Sequence, residues 1–148
     1  MQWFDGWLKE QVRHGKLEEE AAGCIRQADI LEFLQCDSGK RMQEAARKQK
    51  LYREQPFVLG VDAKELYPEE EDGELILIQG IIDAYFEEPD GLVVLDYKTD
   101  KVNNGKELAE KYQEQLRYYA KALEQISGKK VKEKIIYSFT LKKEIYIE

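Results

Sequence analysis

Apolar positions along the chain recur first at helical spacing and then in strand-like runs. Residues 2–14 and 17–35 each read as a helix; in the second, Ile25, Ala28, Ile30, Leu31 and Leu34 fall near three- and four-residue intervals. The acids of "KLEEE" suit that helix's start, because they face the positive end of the helix dipole. Asp37-Ser38-Gly39-Lys40 reads as a turn carrying capping residues, and "GKRMQEAARKQKLYRE" as a third helix. Pro56 stops helix, and "PFVLGVDA" reads as the start of a strand. "YPEEEDGE", at 67–74, is a charged, solvated turn. "LILIQGIIDAYFE" and "LVVLDYK" are rich in β-branched and aromatic residues, and both read as strands. Residues 105–128 form a long amphipathic helix ending at Gly128. "EKIIYSFTL" and "EIYIE" close the chain as a hairpin.

Three helices, three strands, a helix and two more strands predict one α/β domain, with helices flanking a mixed sheet. Its 148 residues suffice for a single core. Residues 1–53 form a helical N-terminal part, and residues 54–148 carry the core of the domain. No apolar run approaches the length of a membrane span, and the N-terminus lacks a signal-peptide pattern. Cys24 and Cys36 show no zinc spacing and read as packed thiols in a reducing, cytoplasmic compartment.

A net charge of −7 argues against generic nucleic-acid binding, but the charge is unevenly spread. Residues 54–96 hold 13 acids and one lysine, whereas both flanks are mildly basic. Lys40, Arg41, Arg47, Lys48 and Lys50 form a basic face on the third helix. Such a face is usually just solvated; DNA contact is the alternative.

Candidate chemistry sits where carboxylates interrupt the apolar strands. Glu88-Pro89-Asp90-Gly91 suits a type I turn. If the hairpin closes symmetrically about Pro89-Asp90, Asp83 falls opposite Asp96, and Lys98 lies two residues along on the same face. A three-residue loop with a glycine bulge would shift the pairing by one and send the two acids to opposite faces. Like charges opposed on an apolar sheet are destabilising unless a cation sits between them, and hard oxygen ligands suit Mg²⁺ or Mn²⁺. Gly80 inside the strand marks a close approach, and Glu54 offers a third acid nearby. Gln115 and Tyr119 are four apart, hence neighbours on one helix face.

Gly80-x-x-Asp83 followed by Asp96-Tyr97-Lys98 resembles the core motif of the PD-(D/E)XK nuclease superfamily. With "YREQPF" and "YQEQLRYYAKALE", the stretch from about Arg53 to Leu123 is similar to the C-terminal nuclease domains of AddA (RecB-like) helicase–nuclease subunits. The resemblance implies a restriction-endonuclease-like core and Mg²⁺-dependent DNA phosphodiester hydrolysis, with Mn²⁺ able to substitute. It implies that Asp83, Asp96 and the Tyr97 backbone carbonyl hold the metal and that Lys98 positions the attacking water. Gln115 and Tyr119 match the family's Gln-x-x-x-Tyr element, and Glu54 an acidic position bordering the site. It further implies a fragment of a longer chain whose helicase motor uses ATP, an AddB-type partner subunit, and cutting of the strand ending in 3′ during double-strand break repair, with single-stranded DNA as the expected substrate. Family members also carry a histidine ligand upstream. The one histidine here, His14, has a different context and is expected to be a bystander.

Overall fold

The computed structural model describes residues 27–66 and 73–148. Two helices open it. Helix α1, Gln27–Gln35, buries Ile30 and Phe33. Helix α2, Asp37–Arg47, buries Met42 and Ala45. The stretch Asp37–Lys40 is therefore the first turn of α2 and not a loop. Cys36 is the N-cap, its Sγ accepting from the Gly39 N–H at 3.4 Å. Gly39 serves packing: a Cβ there would lie 2.0 Å from the Phe33 carbonyl oxygen, so only glycine lets α1 and α2 pass so closely. Buried Ser38 donates to the Glu144 carboxylate, tying the start of α2 to the far edge of the sheet.

Helix α2 also ends earlier than its composition suggests. Gln49 adopts the left-handed conformation, with φ +60°. The Lys50 N–H reaches the Ala45 carbonyl at 2.8 Å, and the Gln49 N–H reaches Ala46 at 3.1 Å. This is a Schellman stop built without glycine. The stop sends "LYRE" into strand β1, Leu51–Asp62, which begins before Pro56.

A one-turn helix α3, Ala63–Leu66, follows β1. Strands β2, Leu75–Glu88, and β3, Gly91–Lys98, form the hairpin. Helix α4, Gly105–Ser127, crosses to β4, Val131–Ser138, and β5, Lys143–Ile147, closes the sheet. Asn104 caps α4 by accepting from the Glu107 N–H at 3.0 Å, and Gly128, with φ +73°, ends it. Strand order is β1-β2-β3-β4-β5. Only β3 and β4 run parallel, because α4 must carry the chain back before β4 starts. The sheet is mixed and flanked by helices.

Each face of the sheet carries its own core. Val93, Leu95 and Tyr97 of β3 pack with α1 and α2, whereas Leu92 and Val94 pack with Leu108, Leu116, Tyr119 and Leu123 of α4. The β1–β2 ribbon changes sides part-way along. Leu51, Ala84 and Phe86 face α1 and α2, but Phe57, Leu59, Ile78 and Ile82 face α4. The roll falls at Glu54 and Asp83, between the pairs Arg53↔Ala84 and Gln55↔Ile82. Glu54 absorbs it with φ +53°. Beyond this point β2 has left β3, whose ladder with it ends at Ala84↔Leu95. A two-stranded ribbon twists more readily than a strand paired on both sides.

Candidate active site

Hairpin register decides which side chains meet. Glu88 pairs with Gly91, leaving the two-residue turn Pro89-Asp90, and successive pairs run to Ala84↔Leu95. The next step brings Asp83 level with Asp96. Asp83 Oδ2 accepts the Tyr97 N–H at 3.0 Å, so a side chain takes over where the backbone ladder stops. Asp96 continues the α4 side of β3 and is 2% exposed. Burial pushes its carboxyl well above the usual range, and the charge of Asp83 pushes it further.

Lys98 stands two residues on. Its Nζ lies 3.0 Å from Asp96 Oδ2 and donates to Gln115 Oε1 at 3.1 Å. The ammonium is close enough to Asp96 for ionic attraction but is not aligned on it. Asp96 Oδ2 is left buried with no hydrogen bond. Buried polar atoms are nearly always satisfied, and here one ammonium stands against two juxtaposed carboxylates, which leaves the pair suited to a second positive group.

Helix α4 supplies the other wall. Gln115 holds Lys98, and Tyr119 is buried one turn further along. The Tyr119 ring meets Phe57 edge-on at 5.4 Å, and burial pushes its phenol up. Phe57 in turn crosses Gly80, where a Cβ would sit 3.0 Å from the ring. The close approach marked by Gly80 is thus made by a neighbouring ring within the fold. Glu54 sits within β1, across from Asp83 at the roll.

Two residues of the site escaped the sequence reading. The Lys98 ammonium lies 4.0 Å from the centre of the Tyr112 ring. The Tyr112 hydroxyl donates to Asp100 Oδ2 at 2.8 Å, and Lys111 Nζ reaches the same oxygen at 2.7 Å. Spacing held the signal: Tyr112 is one helical turn before Gln115, and Asp100 extends the alternation of Asp96 and Lys98.

The basic face of α2 lies elsewhere. Helix α2 packs on the core opposite that of α4, away from Asp96 and Lys98. Arg41 binds Glu88 and Glu133, Arg47 and Lys48 meet Glu44, and Lys50 lies 3.8 Å from Glu87. Lys40 is exposed on the same helix. The structure does not bring these five residues to the acids of the site. His14 and Cys24 lie outside the described residues, as do residues 2–14, the first part of the 17–35 helix and most of the 67–74 turn.

Sequence comparisons show the family of the chain. The model of the PD-(D/E)XK nuclease superfamily matches residues 2–146, and the chain belongs to that superfamily. Its five-stranded mixed sheet packed against helices is consistent with that fold. More narrowly, the chain is related to the AddA-type subunits of ATP-dependent helicase/nucleases. It is 44% identical over 142 residues to the Acetivibrio thermocellus protein of that type, covering 92% of this chain and 11% of the relative. The match to the Thermoanaerobacter sp. protein is 45% over 137 residues, covering 89% and 11%. That to the Lachnoclostridium phytofermentans protein is 38% over 177 residues, covering 96% and 13%. The chain therefore spans about an eighth of the length of these relatives.

Enzymes of this superfamily typically use divalent metals. The residues present fit such an ion: two juxtaposed carboxylates, one with a buried oxygen lacking a hydrogen bond, in a site with a single lysine to balance them. Among the described residues no group of three or more His, Cys, Asp or Glu side chains converges. Two carboxylates are enough for Mg²⁺, which usually keeps several waters.

Proposed function

We propose that this domain hydrolyses phosphodiester bonds of single-stranded DNA, with Mg²⁺ or Mn²⁺ held by Asp83, Asp96 and the backbone carbonyl of Tyr97. The observation that carries the reading is the juxtaposition of Asp83 with the buried Asp96, with Lys98 Nζ 3.0 Å from Asp96 Oδ2. When bound, the cation supplies Lewis-acid charge and acidifies water. Lys98 presents a fixed positive charge where negative charge develops on the phosphate. Gln115 orients Lys98 by accepting from its ammonium. The Tyr97 N–H fixes the rotamer of Asp83. Tyr119 and Phe57 keep water from the back of the site. Glu54 borders the site from β1.

Kinship with much longer helicase/nuclease proteins supports a wider setting. In that setting the domain is tethered to a helicase motor that consumes ATP. An AddB-type subunit completes the assembly, which works in the cytoplasm on broken DNA ends. A module that binds DNA without cutting it is the second reading, favoured by the small acidic ligand set.

The test is a gel assay on end-labelled single strands across Mg²⁺ and Mn²⁺ titrations, with calorimetry for metal affinity. Weak, Mn²⁺-favoured cutting is expected from the isolated chain. Chelation, Asp83→Ala, Asp96→Ala or Lys98→Ala should abolish it, while His14→Ala leaves it intact. Robust cutting by Lys98→Ala would remove the proposed site. Metal-insensitive DNA binding without cutting would assign the second reading.

A further inference from the structure

The rolled ribbon that places Asp83 also places an aromatic pair beside it. Tyr52 and Tyr85 are directly opposed across β1 and β2. Their rings stack, with centroids 4.8 Å apart and planes 17° from parallel. Tyr85 is 8% exposed and belongs to the core under α4, whereas Tyr52 is 41% exposed. Strand β1 is the edge of the sheet, so among the described residues no further strand covers Tyr52. One side of its ring is fixed by Tyr85, and the other side faces outward.

This exposed ring belongs to the same surface as the acids. Tyr85 follows Asp83 by two residues, roughly 7 Å along the strand. Asp83 acts on Asp96 and on Tyr119, both on the α4 side, where Tyr85 also lies. Positive charge flanks the rings. Lys129, just past the end of α4, interacts with both phenols and binds Glu87 Oε1 at 2.5 Å. The Lys129 ammonium thus stands beside the stack. Burial pushes the Tyr85 phenol up, so that inner ring stays uncharged at neutral pH.

We infer that Tyr52 is a stacking platform for one nucleobase of a single strand, with Lys129 receiving the neighbouring phosphate. A flat π-face accepts any base, so the platform grips the strand without reading its sequence. A base inside a duplex has both faces covered by its neighbours, which restricts the platform to unpaired strands. Cross-strand tyrosines also stabilise sheets on their own. That role does not call for an uncovered outer ring beside Lys129, on the face that carries Asp83 and Asp96. The inference rests on the proposed nuclease reading, to which it adds a place where the strand is held.

The test uses the 148-residue chain, fluorescence anisotropy and a labelled oligothymidylate. Ca²⁺ is present as an oxygen-preferring cation, and a gel confirms that the strand stays intact. One abasic position is then scanned along the strand. Tyr52→Ala should weaken binding about 5- to 150-fold, as loss of one aromatic–base stack does. Tyr52→Phe and Tyr52→Trp should bind like wild type, and Tyr52→Thr, which suits a strand, should reproduce the loss if Tyr52→Ala folds poorly. An abasic gap at one position should weaken wild type but not further weaken Tyr52→Ala. Wild-type affinity in both Tyr52→Ala and Tyr52→Thr, in a protein that still cuts with Mn²⁺, overturns the platform and spares the nuclease reading. Losses from the substitution and the abasic gap that add at every position also overturn it. A wild-type chain that neither binds nor cuts removes both.

Discussion

Lys98 is held from three sides: the Asp96 carboxylate, the Gln115 amide and the face of Tyr112. A flexible four-carbon side chain held in this way keeps its charge at one point, and fixed charge is what stabilises a transition state. The Tyr112 face contributes through its ring, and its hydroxyl is spent on Asp100. Cation–π contacts contribute about 0.5–2 kcal/mol. Tyr112→Leu is therefore expected to lower kcat about 2- to 30-fold with a smaller change in KM, while Tyr112→Phe keeps most of the activity. Steady-state kinetics on single strands decide this. Equal losses in the two variants would shift the role from the ring to the hydroxyl and Asp100.

Among the elements, α2 reads as basic but acts as a clamp. Arg41 donates to Glu88 at 3.0 and 2.7 Å and to Glu133 at 2.9 and 3.1 Å, joining the β2–β3 turn to β4. Lys132 meets Glu88 at 2.7 Å. Arg41 holds the Glu88 carboxyl down at about 2, against an ordinary 4.5, and Lys132 adds to the effect. A carboxyl lowered in the folded state stabilises the fold above its unfolded pKa. That stability is lost as pH falls from about 4.5 through about 2. Urea unfolding from pH 6 to 2 should show wild type losing on the order of 2 kcal/mol more than Glu88→Gln across that window. Parallel curves would place the acid sensitivity elsewhere. At neutral pH, Arg41→Ala should destabilise by about 1–3 kcal/mol, because it removes a partly buried partner from Glu133 and leaves Glu88 to Lys132 alone.

At the scale of the whole molecule, the two faces of the sheet end differently. Helix α4 covers its face out to the far half of the β1–β2 ribbon, where Phe57, Leu59 and Val61 are buried. On the other side of that half, Val58, Leu75, Leu77 and Ile81 are exposed together. Contiguous exposed apolar side chains beside an edge strand favour self-association. Val58→Thr with Leu77→Lys should change unfolding stability by less than about 0.5 kcal/mol, since neither side chain is buried. The same pair should lower light scattering at high protein concentration. Unchanged scattering would show that this face does not drive association.

Local pattern was enough for much of this molecule. The β-branched and aromatic runs of β2 and β3, the amphipathic period and Gly128 stop of α4, and the closing hairpin are all written in neighbouring residues. Asp83, Asp96 and Lys98 were legible as a group because side chains alternate across a strand, and Gln115 with Tyr119 because a helix repeats every three to four residues. The turn Pro89-Asp90-Gly91 left two registers open, and packing of Leu92, Val94 and Tyr85 under α4 selected one. Tertiary structure alone decided the rest. Gly39 reads as a turn residue until Phe33 is seen against it. The stop at Gln49 lacks glycine and so lacks its usual mark. The roll at Glu54, the pairing of the α2 cations with Glu88, Glu133, Glu44 and Glu87, and the Tyr112–Asp100 support of Lys98 join residues from different elements. Such contacts follow from which segments meet in three dimensions, and the spacing of residues along the chain carries no direct record of that.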